Sequence, residues 1–183
     1  MQSPALGILE FNSIAQGIIS ADAALKKSTV DVLISRTICP GKYLVVINGD
    51  IDQVKESVRE SETVGGYYNI DSIVIPNLDP QIPPALSAMT EIKNFASLGI
   101  LETYSAPSAI LSADAAVKAA DVELIEVRIA NGIGGKSFYT LTGNESQVRA
   151  ALDAGAAAIE DTGLLMNMKV IPSPHEDLYE HLI

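Results

Sequence analysis

The sequence predicts an α/β (α+β) fold that consists of two tandem domains, each a small sandwich of four strands and two helices. The main observation is an internal repeat: residues 6–28, LGILEFNSIAQGIISADAALKKS, match residues 98–120, LGILETYSAPSAILSADAAVKAA, at 13 of 23 aligned positions. Both copies then continue with the same order of alternating and helix-periodic segments. We therefore expect a first domain at 1–94 and a second domain at 95–183.

Strands are predicted where apolar and β-branched residues alternate, and helices where apolar residues recur every three or four positions. In the first copy these patterns give a strand at 5–11, a helix from 13 to 27, strands at 30–38 and 42–49, a helix at 51–60 and a strand at 69–76. Ser13 is suited to cap the first helix, because its hydroxyl can accept a backbone N–H. Cys39-Pro40-Gly41 predicts a turn, because Pro and Gly favour turn geometry.

The second copy repeats this order, and Ser173-Pro174 after it predicts the start of a C-terminal helix. The order strand–helix–strand–strand–helix–strand places both helices on one face of a single sheet. Each copy is rich in Ala, and aromatic residues make up only 5% of the chain. We therefore expect close helix packing or oligomerisation to contribute to stability.

Composition excludes several classes of protein. Lys and Arg number 12 against 23 Asp and Glu, a net charge of −11, which disfavours nucleic-acid binding. A single Cys excludes a disulfide framework and any multi-Cys zinc site within one chain. No apolar run approaches the roughly 20 residues of a membrane span. The first residues, MQSPALGILEFNS, lack the pattern of a signal peptide, so we expect a cytoplasmic protein without a membrane partner.

The sequence contains no set of residues that predicts catalysis. The segment ANGIGGKS at 130–137 resembles a phosphate-binding loop, but Ala130 replaces its first Gly and the following FYTLTG predicts a strand rather than a helix. A Gly-rich hairpin whose backbone approaches another group closely is the better interpretation. Glu10 and Glu102 recur at the end of the first strand of each copy, where a structural role as hydrogen-bond acceptors is expected. We predict no catalytic residue and no enzyme.

Cys39 is the candidate metal ligand. It lies in the turn Thr-Ile-Cys-Pro-Gly-Lys, where the second copy carries Asn131. A lone Cys is most often a small buried hydrophobe, but a turn thiol near Lys42 and free backbone N–H groups can be deprotonated and can bind metal. One thiolate cannot hold a metal cluster. A threefold oligomer with this turn at its axis would supply three.

The repeated pattern LGILE…ADAA(L/V)K…GK…VIP resembles the bacterial microcompartment shell proteins, and the resemblance covers essentially the whole chain twice. The ICPGKY turn, together with NGIGGKSF, resembles the iron–sulfur tandem subtype of the propanediol-utilisation compartment. The resemblance implies a homotrimer whose six ferredoxin-like domains form a pseudohexamer. Such trimers assemble with other shell proteins into the microcompartment shell.

The resemblance also implies functional residues. In the iron–sulfur subtype, the thiols at the position of Cys39 in three chains bind one 4Fe–4S cluster per trimer. That cluster would pass electrons across the shell to or from a redox enzyme, and we expect the N–H groups of Gly41 and Lys42 to donate to its sulfur atoms. Lys26 and Lys118 fall where the family places its tile-edge lysine. The residues implied to line the central pore are Thr37, Ile38, Pro40, Gly41, Lys42, Asn131, Gly132, Ile133, Gly134 and Gly135.

One motif departs from the family pattern. The edge motif Pro-Arg-Pro-His appears here as Pro172-Ser173-Pro174-His175, and Asn77 stands at the matching place in the first copy, so the edge arginine is absent from both.

Three hypotheses about function remain. The chain is a shell tile with a redox centre at its pore, a cluster-free tile whose pore passes small polar metabolites, or a ferredoxin-like duplication that binds or converts a small molecule. The lack of a catalytic set argues against the third.

Overall fold

The computed structural model describes residues 5–130, 132–179 and 181. The first repeat contains six main elements, whose order matches the predicted one. They are β1 (Ala5–Phe11), α1 (Ile14–Lys27), β2 (Asp31–Ile38), β3 (Lys42–Gly49), α2 (Ile51–Gly65) and β4 (Asn69–Ile75), with a 3-10 turn at Gly66–Tyr68.

A short helix precedes the second repeat, and another follows it. The elements are α3 (Ile82–Leu86), β5 (Ser97–Thr103), α4 (Ala106–Ala119), β6 (Glu123–Ile129), β7 (Ser137–Gly143), α5 (Glu145–Ala158), β8 (Leu165–Ile171) and α6 (Glu176–Tyr179), with a 3-10 turn at Glu160–Thr162. The sequence patterns did not predict α3. The helix after Ser173-Pro174 is confirmed and begins at Glu176.

Each repeat forms one antiparallel sheet, with strand order β2-β3-β1-β4 in the first and β6-β7-β5-β8 in the second. The first strand of each repeat is central, because β1 pairs with both β3 and β4, and β5 pairs with both β7 and β8. This arrangement confirms the predicted fold class. None of the described helices is both long enough and apolar enough to cross a membrane.

The described chain divides into two compact units. The first comprises the described residues of 1–78, 105–107 and 130–135. The second comprises the described residues of 79–104, 108–129 and 136–183.

In the first unit, α1 and α2 pack on the sheet over a core of apolar side chains. The hydroxyl of Ser13 accepts the N–H of Gln16 at 3.3 Å, which confirms the predicted N-cap of α1. Helix α2 extends past its predicted end to Gly65, where a Cβ would overlap a ring atom of Phe11. Glycine therefore allows the last turn of α2 to approach the sheet. The core residues are Ala5, Leu9, Phe11, Ala21, Tyr43, Val45, Ile47, Val54 and Val58.

The second unit is built in the same way, but its edge strand is covered. Strand β2 is exposed at six of its eight residues, whereas β6 is buried at five of its seven. Helix α3 packs on β6 inside the second unit. This difference between two strands that occupy the same place in the repeat is the clearest departure from internal symmetry.

Candidate functional site

The Cys39 turn joins β2 to β3, as predicted. Cys39 is a free thiol and is partly exposed. Gly41 adopts a positive φ of 81°, which glycine allows without steric cost, and its N–H donates to the carbonyl of Ile38 at 3.1 Å. The N–H of Gly41 closes the turn in this conformation, and its donation to a cysteine-bound sulfur stays a prediction.

The Gly-rich loop contacts the Cys39 turn inside the first unit. The N–H of Cys39 donates to the carbonyl of Ala130 at 2.9 Å. A Cβ on Gly135 would lie 2.5 Å from Cδ of Pro40 and 3.0 Å from the carbonyl oxygen of Cys39. The predicted close backbone approach is thus confirmed, and its partner is the Cys-Pro turn of the same chain. Strand β7 follows the loop, so this segment lacks the helix that a phosphate-binding loop requires.

The residues expected at the pore differ in exposure. Five of them are exposed: Thr37, Pro40, Gly41, Gly132 and Gly134. Ile133 and Lys42 are partly exposed, whereas Ile38 and Gly135 are buried. Asn131 lies outside the described residues. The exposed positions are largely backbone, Gly and Pro, so any surface they form presents peptide groups rather than long side chains.

Lys42 forms an ion pair with Glu10. Its Nζ lies 2.6 Å from Oε1 of Glu10, a carboxylate with no solvent exposure. Oε2 of Glu10 accepts the N–H of Ala106 at 2.6 Å. Burial raises the pKa of Glu10, although Lys42 and the Ala106 N–H favour the ionised carboxylate and act in the opposite direction. The ammonium that the sequence places near Cys39 therefore serves as the counter-ion of Glu10.

The second repeat carries the corresponding pair in a more exposed setting. Lys136 Nζ lies 3.8 Å from Glu102, and the two side chains are 41% and 32% exposed. Because the pair is exposed to solvent and its nitrogen–oxygen distance is long, we expect it to stabilise one chain only weakly. The recurrence of Glu and Lys at matching positions was the sequence signal for this pair. The acceptor role expected of Glu10 is confirmed by its hydrogen bond from the N–H of Ala106. The partner was not predicted, because the two residues are 96 positions apart.

One described chain holds no ready-made metal centre. Among the described residues, no three His, Cys, Asp or Glu side chains are grouped so that they could bind a metal ion. Cys39 therefore offers one ligand per chain, and any cluster at this site must draw ligands from several chains.

The two candidate tile-edge lysines lie at matching places near the ends of α1 and α4. Lys26 lies 2.5 Å from Asp22, and Lys118 lies 2.5 Å from Asp114, each four residues earlier on the same helix. Both ammonium groups are accessible, with Lys26 the more exposed of the two.

Comparisons with known proteins identify the family. The profile described as the BMC domain matches residues 5–78 and 97–174. The chain is 39% identical, over 181 residues, to the bacterial microcompartment shell protein PduT of Citrobacter freundii, covering 99% of this chain and 98% of that protein.

Two solved structures share the fold. A crystal structure of a microcompartments protein from Desulfitobacterium hafniense DCB has a TM-score of 0.82 and 44% identity, covering 97% of this chain and 98% of that one. The fused permuted hexameric shell protein MSM0275 of the RMM microcompartment has a TM-score of 0.65 and 24% identity, covering 87% and 82%. Two complete domain matches and a full-length relative lead to one conclusion. The chain belongs to the BMC-domain family and is a tandem-domain structural shell protein of a bacterial microcompartment, not an enzyme.

Proposed function

We propose that the protein is a homotrimeric shell tile in which Cys39 of three chains binds one 4Fe–4S cluster at a central pore, for electron transfer across the shell. The observation that carries this proposal is a partly exposed free thiol on a turn that Ala130 and Gly135 hold in place. The Cys-Pro-Gly turn also resembles that of the iron–sulfur subtype. Each chain contributes two domains, 1–94 and 95–183.

The internal repeat supports a ring of three chains. Glu10 accepts the N–H of Ala106 within the first unit. The repeat offset of 92 makes Glu102 the counterpart of Glu10 and Ala106 the counterpart of Ile14. A closed ring repeats the same contact at every domain, so Glu102 of each chain would accept the N–H of Ile14 in the next. Three chains would supply six BMC domains.

The chemistry of the turn fits a cluster with three protein ligands. Thiolates are the usual ligands of iron–sulfur clusters, and no residue from Thr37 to Gly41 carries a charge that would compete for iron. Such a cluster, when bound, accepts and releases single electrons. Three Cys39 thiolates leave one iron for water, a small ligand or a group from a redox partner. The chain itself fixes the backbone on both sides of the thiol and keeps the Lys42 ammonium on Glu10.

A tile without a cluster is the second candidate. The exposed backbone of Gly132 and Gly134 favours it, because peptide groups at a pore can hydrogen-bond small polar metabolites. In that case Cys39 is only a turn residue. Both candidates place the protein in the shell beside other shell proteins, and only the first requires a redox enzyme as a partner.

Native mass spectrometry of anaerobically purified protein distinguishes these functions. For the wild type we expect the mass of three chains plus one 4Fe–4S cluster, and for Cys39→Ser the mass of three chains alone. Three bare chains in both samples, after attempted reconstitution, would support the cluster-free tile. The mass of a single chain would contradict both forms of the proposal.

A further inference from the structure

The outer face of the first repeat is exposed where its counterpart in the second repeat is buried. We define the α1–β2 face as Leu25, Val32 and Leu33, which are 44%, 40% and 55% exposed. The repeat counterparts of these three residues are 8%, 1% and 2% exposed, in the same order; they are Val117, Leu124 and Ile125. Both faces are therefore apolar in sequence, but among the described residues only the face of the first repeat is exposed to solvent.

A segment of the chain covers the counterpart face within the second unit. Ile82 and Ala85 of α3 are buried, and α3 packs on β6. The side chain of Gln81 donates to the carbonyl of Val122 at 3.2 Å and accepts the N–H of Leu124 at 2.9 Å.

Two further hydrogen bonds attach this covering segment. The N–H of Asp79 donates to Oδ1 of Asp114 on α4 at 2.8 Å, and the hydroxyl of Thr90 donates to the carbonyl of Ile125 at 2.6 Å. The residues that directly follow the first repeat therefore cover β6, the edge strand of the second repeat, and the adjoining helix α4. This covering segment accounts for the burial of Leu124 and Ile125.

The chain has one more segment of this kind, after the second repeat. Sheet pairing gives the register, because Leu6 lies opposite Ile75 and Leu98 lies opposite Ile171. Continuing that register aligns PNLDPQIPP from Pro76 with PSPHEDLYE from Pro172. Leu178 then corresponds to Ile82, and it is 36% exposed where Ile82 is fully buried.

We propose that the segment 174–179 of one chain docks on the α1–β2 face of a second copy, as the segment around α3 docks on β6. Leu178 would cover Val32 and Leu33. This inference rests on the proposed homotrimer, because in a closed ring the segment 174–179 of each chain would lie against the next chain. The docked segment would cover the α1–β2 face, which is exposed in a single chain.

The polar contacts have counterparts too. Asp22 of the second copy corresponds to Asp114, so its carboxylate would accept the N–H of His175 of the docking chain, as Asp114 accepts that of Asp79. Asp177 corresponds to Gln81 and keeps an acceptor for the N–H of Val32, but it lacks the amide donor. We therefore expect the segment to dock with fewer hydrogen bonds than α3 and to hold chiefly through Leu178.

Cysteine cross-linking of the full chain tests the docking. In a Cys39→Ser background, Leu178→Cys is combined with Leu33→Cys and treated with a short bis-maleimide. The matched control combines Leu178→Cys with Tyr67→Cys, because Tyr67 is more exposed than Leu33, at 91%. We expect covalent trimers from the first pair and only monomers from the control. A cross-link confined to one chain, or none while the native mass is that of three chains, would overturn the docking and leave the trimer intact.

A second measurement does not depend on introduced cysteines. Leu178→Asp should raise amide hydrogen exchange in β2 at least tenfold, while exchange in β6 stays at its wild-type rate. Unchanged exchange in β2, in a variant that still has the mass of three chains, would contradict the docking. A native mass of one chain for the wild type would instead remove the homotrimer on which the inference depends.

Discussion

The backbone N–H of Cys39 donates to the carbonyl oxygen of Ala130 at 2.9 Å, so the turn of the first repeat is bonded to the loop that precedes β7 in the second. Both loops that the resemblance assigns to a central pore therefore lie together within the first unit. The thiol is held on a backbone that the chain fixes by itself, and the proposed cluster would need assembly only to bring further thiols to it.

The first prediction concerns the glycine that lets the two loops touch. Gly135→Ala should destabilise the chain by about 2–3 kcal/mol, because it adds a Cβ at φ 81° and 2.5 Å from Pro40. Gly134→Ala is the matched control: its φ is also positive, at 65°, but a Cβ there meets nothing within 4 Å. It should cost about 1 kcal/mol. Urea unfolding checks both values, and equal losses would show that the contact with Pro40 has no energetic consequence.

The second prediction is a pH dependence that arises from Glu10. Burial raises its pKa, and Asp71 adds to the effect, whereas Lys42 and the Ala106 N–H oppose it. The folded chain therefore holds this proton more tightly than the unfolded chain. The stability it contributes is complete below the ordinary pKa of 4.5 and is lost as pH rises through the raised pKa.

Glu10→Gln isolates that effect from the other carboxyl groups. As pH rises from 4.5, the wild type should lose unfolding free energy relative to this variant. Urea unfolding of both proteins at a series of pH values measures the difference. A difference that moves in favour of the wild type as pH rises would mean that the Lys42 ion pair outweighs burial and lowers the pKa instead.

The third prediction concerns the contact that would close the ring. Glu102→Ala should change the stability of one chain by less than about 1 kcal/mol, because its pair with Lys136 is exposed. Loss of the proposed bond to Ile14 of the next chain, at all three interfaces, should raise the concentration at which trimers dissociate about tenfold, which corresponds to roughly 0.9 kcal/mol for each interface. Glu56→Ala is the control, since Glu56 also belongs to an exposed pair. Sedimentation of a dilution series would contradict the contact if the two variants dissociated alike.

The fourth prediction separates the trimer from the sheet of tiles. Lys26→Ala should weaken tiling and leave trimers intact, because the ion pair of Lys26 with Asp22 is exposed and contributes little to the fold. Lys118→Ala should act in the same direction. Lys27→Ala, next in sequence and paired with Glu60, is the control. Electron microscopy of assembled sheets tests this prediction. Unchanged tiling by Lys26→Ala and Lys118→Ala would show that these two lysines have no role at the tile edge.

Local patterns were sufficient to predict most of the fold. Strands β1 and β3 have their predicted bounds, and Ser13 caps α1, because alternation and capping depend on neighbouring residues. Helix α3 was missed because it is only five residues long and lies in a Pro-rich segment. The polar Ser61–Thr63 stretch led to too short a prediction for α2, although Ser61 is buried.

The candidate site was less predictable, because its contacts are long-range. The sequence singled out Cys39 and the Gly-rich loop, but not the bond between Cys39 and Ala130. It placed Lys42 beside the thiol, whereas Glu10 binds the ammonium from a different strand. The iron–sulfur cluster stays a prediction, since its ligands would come from three chains and one chain supplies a single thiol.

The most direct test of the proposed function is the iron and acid-labile sulfide content per trimer, with an absorption spectrum, of anaerobically purified wild type beside Cys39→Ser. A shared pore cluster predicts about four irons and about four sulfides per trimer, a brown chromophore, and the loss of all three in a variant that remains trimeric and folded. No iron in the wild type after reconstitution, or equal iron in both proteins, would contradict a cluster held by Cys39.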